Sequence, residues 1–154
     1  MEWLLLGVII LFVLLILISA GVKIVQQYEL GVVFRFGRLV GTKKPGIRVI
    51  IPFIDRMVKV DLRVVTMDVP SQEVITKDNS PTNVDAIIYI KVIDPKKAYF
   101  EVDDYRRATV YLSQTTLRSL IGNMELDEVL YSREKINLHL RDILDKATDQ
   151  WGVK

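Results

Sequence analysis

Apolar residues fill the start of the chain without interruption and then fall into two different periods. From Trp3 to Ile18 there is no charged residue and no proline, and Ser19, Ala20, Gly21 and Val22 extend the uncharged stretch to about 20 residues. At 1.5 Å per residue a helix of that length is ~30 Å long, the thickness of one hydrocarbon core. Beyond it, Ile24–Tyr28, Gly31–Gly37 and Ile47–Ile51 are rich in β-branched and aromatic residues, and Gly41–Gly46 supplies turn chemistry before the last of them. In Val58–Arg63 apolar and charged residues alternate, which predicts a strand with one wet face. Val74–Thr76, the turn 77–81 and Val84–Val92 read as a hairpin in which Val84, Ala86, Ile88, Ile90 and Val92 share a face.

The period changes at Asp94-Pro95, an N-cap followed by a residue suited to the first helical position, so a short helix is expected to run through Phe100. Asp103 is the expected cap of a longer helix with Tyr105, Ala108 and Leu112 on one side and Val110, Leu117 and Ile121 widening the apolar face; Gly122 is expected to end it in a left-handed conformation. After a short segment over Leu126–Leu130, Ser132 opens a third helix. There Ile136, Leu140, Ile143, Leu144, Ala147 and Trp151 recur at spacings of three and four, and Gly152 stops it. An apolar helix, then strands, then helices make an α+β fold: a membrane anchor over residues 1–22 and a domain of antiparallel strands packed with helices over 23–154.

Composition localises the apolar excess. The 154-residue chain is 50% apolar and 26% charged, but once residues 1–22 are set aside the rest is about 45% apolar, ordinary for a soluble domain. There is no cysteine, which excludes a disulfide scaffold. The span residues Trp3, Leu4, Leu5, Leu6, Ile9, Ile10, Phe12, Leu14, Leu15 and Leu17 are the expected anchor. A cleavable signal peptide is the competing reading, with Ser19-Ala20-Gly21 as its exit, but it requires a basic leader, and the only charge ahead of the apolar run is Glu2. No Lys or Arg precedes the span, whereas Lys23, Arg35, Arg38, Lys43 and Lys44 follow it. The expected location is therefore the cell membrane, crossed once, with the domain on the cytoplasmic side.

Candidate chemistry is sparse. His139, the single histidine, falls on the third helix and offers no zinc cluster; no Gly-x-Ser-x-Gly elbow accompanies any serine. Gly37–Lys44 has three residues between its glycines where a phosphate loop has four, so a hairpin turn is the better reading. Acidic residues at 103, 104, 125, 127, 128, 142 and 145 each serve equally as helix caps or solvated faces. No cofactor, metal or catalytic residue is expected, and a net charge of +2 is too small for a nucleic-acid footprint. Lys43-Lys44 are candidates for anionic headgroups near the membrane-proximal turn, or simply a solvated turn.

Several stretches together resemble one family, the stomatin/prohibitin group with its SPFH (band 7) domain. They are Ile24–Arg38, Lys44-Pro45-Gly46, Ile51–Asp55, Thr76–Asn79, Val84-Asp85-Ala86, Ala108 with Gln114–Gly122, Glu125-Leu126-Asp127, Ser132–Asn137 and Ala147–Lys154. Their order along nearly the whole chain is similar to stomatin-like proteins of prokaryotic type. The resemblance implies a non-enzymatic, membrane-anchored scaffold that forms homo-oligomeric rings or cages and organises membrane microdomains and resident proteins. The alternative it implies is a regulatory partner of an NfeD-type membrane serine protease or of a channel. Family members continue into a further strand and a coiled coil, so the chain reads as cut short after Lys154.

A ring-forming domain needs complementary faces on neighbouring copies. Arg106, Arg107 and Arg118 with Glu125, Asp127 and Glu128 are candidates for them, and intramolecular ion pairs explain the same residues equally well. The apolar turn carrying Ile51, Pro52, Phe53 and Ile54 is a candidate membrane-interface contact, with core packing as its alternative.

Overall fold

A computed structural model describes residues 1–154 and divides them into two compact units, Met1–Leu62 and Arg63–Lys154. The first begins with helix α1 (Glu2–Gly21), which passes directly into strand β1 (Val22–Val25). Strands β2 (Glu29–Arg35), β3 (Arg38–Lys43), β4 (Gly46–Val49) and β5 (Asp55–Asp61) complete it. β1 and β4 form an antiparallel ribbon, and β3-β2-β5 form an antiparallel sheet with β2 at its centre. That position explains the uninterrupted apolar run in β2: Val32, Val33 and Phe34 are all buried, and with Val25 and Ile50 they form the small core of this unit.

The second unit opens with the long hairpin of β6 (Val65–Ile75) and β7 (Pro81–Ile90). Helices α2 (Pro95–Phe100), α3 (Tyr105–Gly122), α4 (Leu126–Tyr131) and α5 (Arg133–Thr148) follow, then a single 3-10 turn, Asp149–Trp151. The core joins Val74 of β6 to Leu117 and Ile121 of α3, Val129 of α4, and Ile136 and Leu140 of α5. α3 approaches its neighbours through small residues. Thr109 and Ser113 are fully buried, and their hydroxyls donate to the carbonyls of Tyr105 and Thr109, so neither carries an unpaired polar group inward. Trp151, expected on the third helix, lies in the 3-10 turn; Gly152 stops it as expected, in a left-handed conformation, and Val153 bridges to Val92.

Antiparallel strands packed with helices, and the shared face of Val84, Ala86, Ile88 and Ile90, are as expected. Five further local readings change. Arg38–Lys43 is a strand, not part of the turn; the hairpin turn is Phe36-Gly37, both at positive φ, and Lys44-Pro45 link β3 to β4. β1 stops at Val25, and Gln26–Tyr28 turn the chain. β6 reaches back to Val65, with a bulge between Val69 and Gln72 where Pro70 interrupts the ladder. Asp104 rather than Asp103 caps α3, accepting from the amides of Arg106 and Arg107 at 3.1 and 3.2 Å. Gly122 is the last residue of α3 and is not left-handed; Asn123 closes the helix, its amide donating to the Leu120 and Ile121 carbonyls.

Candidate functional site

The span residues Trp3, Leu4, Leu5, Leu6, Ile9, Ile10, Phe12, Leu14, Leu15 and Leu17 all lie on the surface of α1, which is exposed on every side. A helix apolar all round with no protein against it is suited to hydrocarbon, and at 20 residues it is long enough to cross a bilayer. No linker separates it from the sheet region. The Gly21 carbonyl accepts from the Ile50 amide at 2.8 Å, and a Cβ on Gly21 would stand 2.7 Å from the Ile50 carbonyl oxygen. Only glycine lets the helix end come this close to the chain segment leaving β4.

That segment leads into the turn predicted as an interface contact. Ile50 is buried and Pro52 half-buried, while Ile51 and Ile54 are exposed and Phe53 is 95% exposed at φ 68°. The tip of the β2–β3 hairpin lies beside it: the Phe36 amide donates to the Ile54 carbonyl at 3.4 Å, and Phe36 is 80% exposed at φ 51°. Positive φ is unusual for any residue but glycine or asparagine and costs on the order of 1–3 kcal/mol. Two adjacent turns therefore each present an aromatic ring to the surroundings at the end where α1 stops. Phe36 is absent from the expected site because its sequence context reads as strand; the Gly37 that follows it is the signal for the turn.

A carboxylate clamps this end from within. Asp55, its side chain only 4% exposed, receives Nε and a terminal nitrogen of Arg35 at 2.8 and 3.1 Å, and the Ile51 amide at 3.1 Å. The hydrogen bond from Arg35 holds the Asp55 carboxyl below the usual range, with the Ile51 amide adding to it, and the same pair raises Arg35 above its ordinary value. Lys43 and Lys44 are exposed where β3 leads into β4, as a solvated turn would have them. Arg38 opens β3 beside Phe36, whereas Lys43 ends the strand opposite Gly31, about 17 Å further along. Lys23 lies on the second rung of the β1–β4 ribbon, and Arg35 and Arg38 flank the Phe36 turn.

In the second unit the candidate subunit-contact residues are all exposed. Arg106 and Arg107 project from the first turn of α3, where Arg107 approaches Asp103 and Asp104 at 3.9 and 4.0 Å. Arg118 donates from Nε to Oε1 of the buried Gln72 at 3.1 Å, and Gln72 in turn donates to the Gln114 carbonyl at 2.7 Å, tying α3 to the bulge in β6. Glu125 precedes α4, and Asp127 and Glu128 occupy its first turn, where they also complement the helix dipole. His139 is exposed on α5 beside a shallow cavity of about 190 Å³ also lined by Glu128 and Lys135. No three His, Cys, Asp or Glu side chains are grouped as metal ligands are.

The profile of the SPFH domain / Band 7 family matches residues 23–154. The chain is 55% identical over 154 residues to an uncharacterized protein of Archaeoglobus fulgidus, covering all of this chain and 61% of that relative. It is 52% identical over 148 residues to a stomatin homolog of Pyrococcus horikoshii, covering 96% of this chain and 55% of the relative. With Stomatin-4 of Caenorhabditis elegans the identity is 45% over 148 residues, 95% of this chain and 53% of that protein. The chain thus spans roughly half to three fifths of the length of these relatives.

Proposed function

The chain belongs to the SPFH domain / Band 7 family, and from that premise we propose that it is the membrane-proximal part of a non-enzymatic scaffold, anchored by α1 with its domain on the cytoplasmic side. The observation that carries this reading is the junction at Gly21. An exposed apolar helix of 20 residues joins a folded sheet region with no linker and with a hydrogen bond from Ile50 across the joint. A sheet region tethered in this way is kept at the bilayer surface, a property a scaffold needs and a freely diffusing binding module does not.

In this reading neighbouring copies assemble side by side into rings or cages. Basic and acidic groups at opposite ends of α3 support a repeated heterologous contact. Such an assembly organises the membrane around it and gathers resident proteins; a membrane serine protease or a channel is the client class the family resemblance suggests. The lack of Lys and Arg before α1 and their abundance after it support the cytoplasmic placement.

Cross-linking the protein in reconstituted membranes, followed by negative-stain imaging, tests the scaffold. Multimers that resolve as closed particles are expected. Monomers at every protein density would overturn it. Protease added outside sealed right-side-out cells is expected to leave the domain intact, and cleavage there would reverse the orientation.

A further inference from the structure

We propose that the two turn tips carrying Phe36 and Phe53 form a second membrane-binding element, seated in the headgroup and upper acyl region of the leaflet that α1 enters. The inference rests on the reading of α1 as a span and adds a site to it. Both rings are almost fully exposed, at 80% and 95%, and both stand on backbone at positive φ. The hairpin and turn hydrogen bonds account for the backbone, but neither ring packs into the core of its unit. Two aromatic side chains held outward side by side suit an apolar environment supplied from outside.

The position of the tips identifies that environment. The Ile51–Ile54 turn directly follows Ile50, which hydrogen-bonds to the last residue of α1, and Pro52 Cδ lies 3.5 Å from where a Gly21 Cβ would be. The Phe36 turn is tied to the same segment through the Ile54 carbonyl. Where α1 leaves the hydrocarbon, both tips are therefore at its exit. Val22 and Val49, the first rung of the β1–β4 ribbon, are exposed next to them. Aromatic rings at headgroup depth beside a transmembrane helix are a stable arrangement, and Lys23 and Arg38 at the same end are placed to meet lipid phosphates. The Arg35–Asp55 clamp spans the β2 and β5 ends that carry the two turns, so they are presented as one rigid surface. Three attachments, one helix and two tips, fix the tilt of the unit on the bilayer where the helix alone fixes only its distance.

Tryptophan emission in vesicles of phosphatidylcholine and phosphatidylglycerol, with bromines on the upper acyl chain, tests the proposal using the whole chain. Trp3 of the unmodified protein reports on α1. Phe36→Trp and Phe53→Trp, each combined with Trp3→Phe and corrected for Trp151, report on the tips. Tyr28→Trp in the same background reports on the turn before β2, about 27 Å along that strand from Phe36. Blue-shifted emission and a roughly twofold loss on bromination are expected at 36 and 53, with neither change at 28. Quenching of Trp3 with emission at 36 and 53 as water-like and unquenched as at 28 would overturn the interfacial site and leave the anchor standing. An unquenched Trp3 would overturn the anchor and the site together.

Discussion

At Gly21 a single hydrogen atom in place of a side chain decides how the membrane helix is joined to the rest of its unit. A methyl group there would stand 2.7 Å from the Ile50 carbonyl oxygen, a backbone atom that cannot swing aside. Gly21→Ala is therefore expected to force the helix end away from β4. It should cost about 1–3 kcal/mol, as overpacking at a backbone contact does, and abolish protection of the Ile50 amide in hydrogen exchange. Asp55 acts nearby through charge. Its carboxyl is held below the usual range by Arg35, so over that interval the unfolded chain binds the proton that the folded chain does not, and stability rises with pH. This contribution is complete above the ordinary aspartate pKa of about 3.9 and is lost as the pH falls through the lower, folded value. Asp55→Asn should consequently lower the melting temperature at pH 7. The gap between variant and parent should narrow as the pH falls below the ordinary aspartate value of about 3.9; a gap independent of pH would show that the carboxylate is held for its shape alone.

Strand β7 carries a different asymmetry. It pairs with β6 along one edge only, and although its alternate residues Thr82, Val84, Ala86 and Ile88 face the helices, they stay half-buried where their neighbours Val69 and Val74 on β6 are buried. Two cavities of about 420 and 350 Å³ follow its open edge along α5, sharing Asn137. Hydrogen exchange should divide this region sharply. Amides of β7 that point away from β6 should exchange quickly, whereas those of Lys91 and Ile93 should be slow, because they donate to the Lys154 and Gly152 carbonyls at 2.8 Å. Gly152→Ala should remove that protection, since its Cβ would lie 2.6 Å from the Asp94 carbonyl oxygen on backbone at φ 66°. Much of this level is legible in the sequence: the β7 alternation, the α5 stripe and the Gly152 stop all follow from local period and local chemistry, whereas on α3 only Leu117 and Ile121 of the expected face are buried and the hydroxyl-bearing Thr109 and Ser113 complete it. Features that depend on register are not. Arg38–Lys43 reads as a turn because Gly41 and two lysines outweigh its pairing with β2, and the Arg35–Asp55 clamp exists only because β2 and β5 align those positions. The hold on α4 is as remote, because its first amide, Leu126, donates to Asp78 from 48 residues earlier, a carboxylate that Thr76 also bonds.

For the assembly of whole molecules, the useful feature is that α3 separates unlike charges. Arg106 and Arg107 lie in its first turn and Glu125, Asp127 and Glu128 follow its last, about 27 Å away along an 18-residue helix. Asp104 at the basic end is occupied as the helix cap, and the contacts of Arg107 with Asp103 and Asp104 are long and exposed, a class worth about 0–1 kcal/mol. The long contacts of Arg107 are accordingly weak enough to give way to a neighbour, while Arg106 also engages the Tyr105 side chain and Arg118 is tied to Gln72. If copies meet basic end to acidic end, Arg106→Glu with Arg107→Glu makes both ends acidic, and Glu125→Lys with Glu128→Lys makes both ends basic. Each doubly substituted protein alone should then assemble poorly, with the defect growing as salt is lowered. Mixed in equal amounts, they should assemble again, because every contact in an alternating ring rejoins opposite charges. Cross-linking in reconstituted membranes reads all three samples, with circular dichroism checking that the helices persist. Assembly of either variant alone to the parental extent would exclude this contact, and failure of the mixture with both variants folded would show that the charges act within one copy rather than between copies.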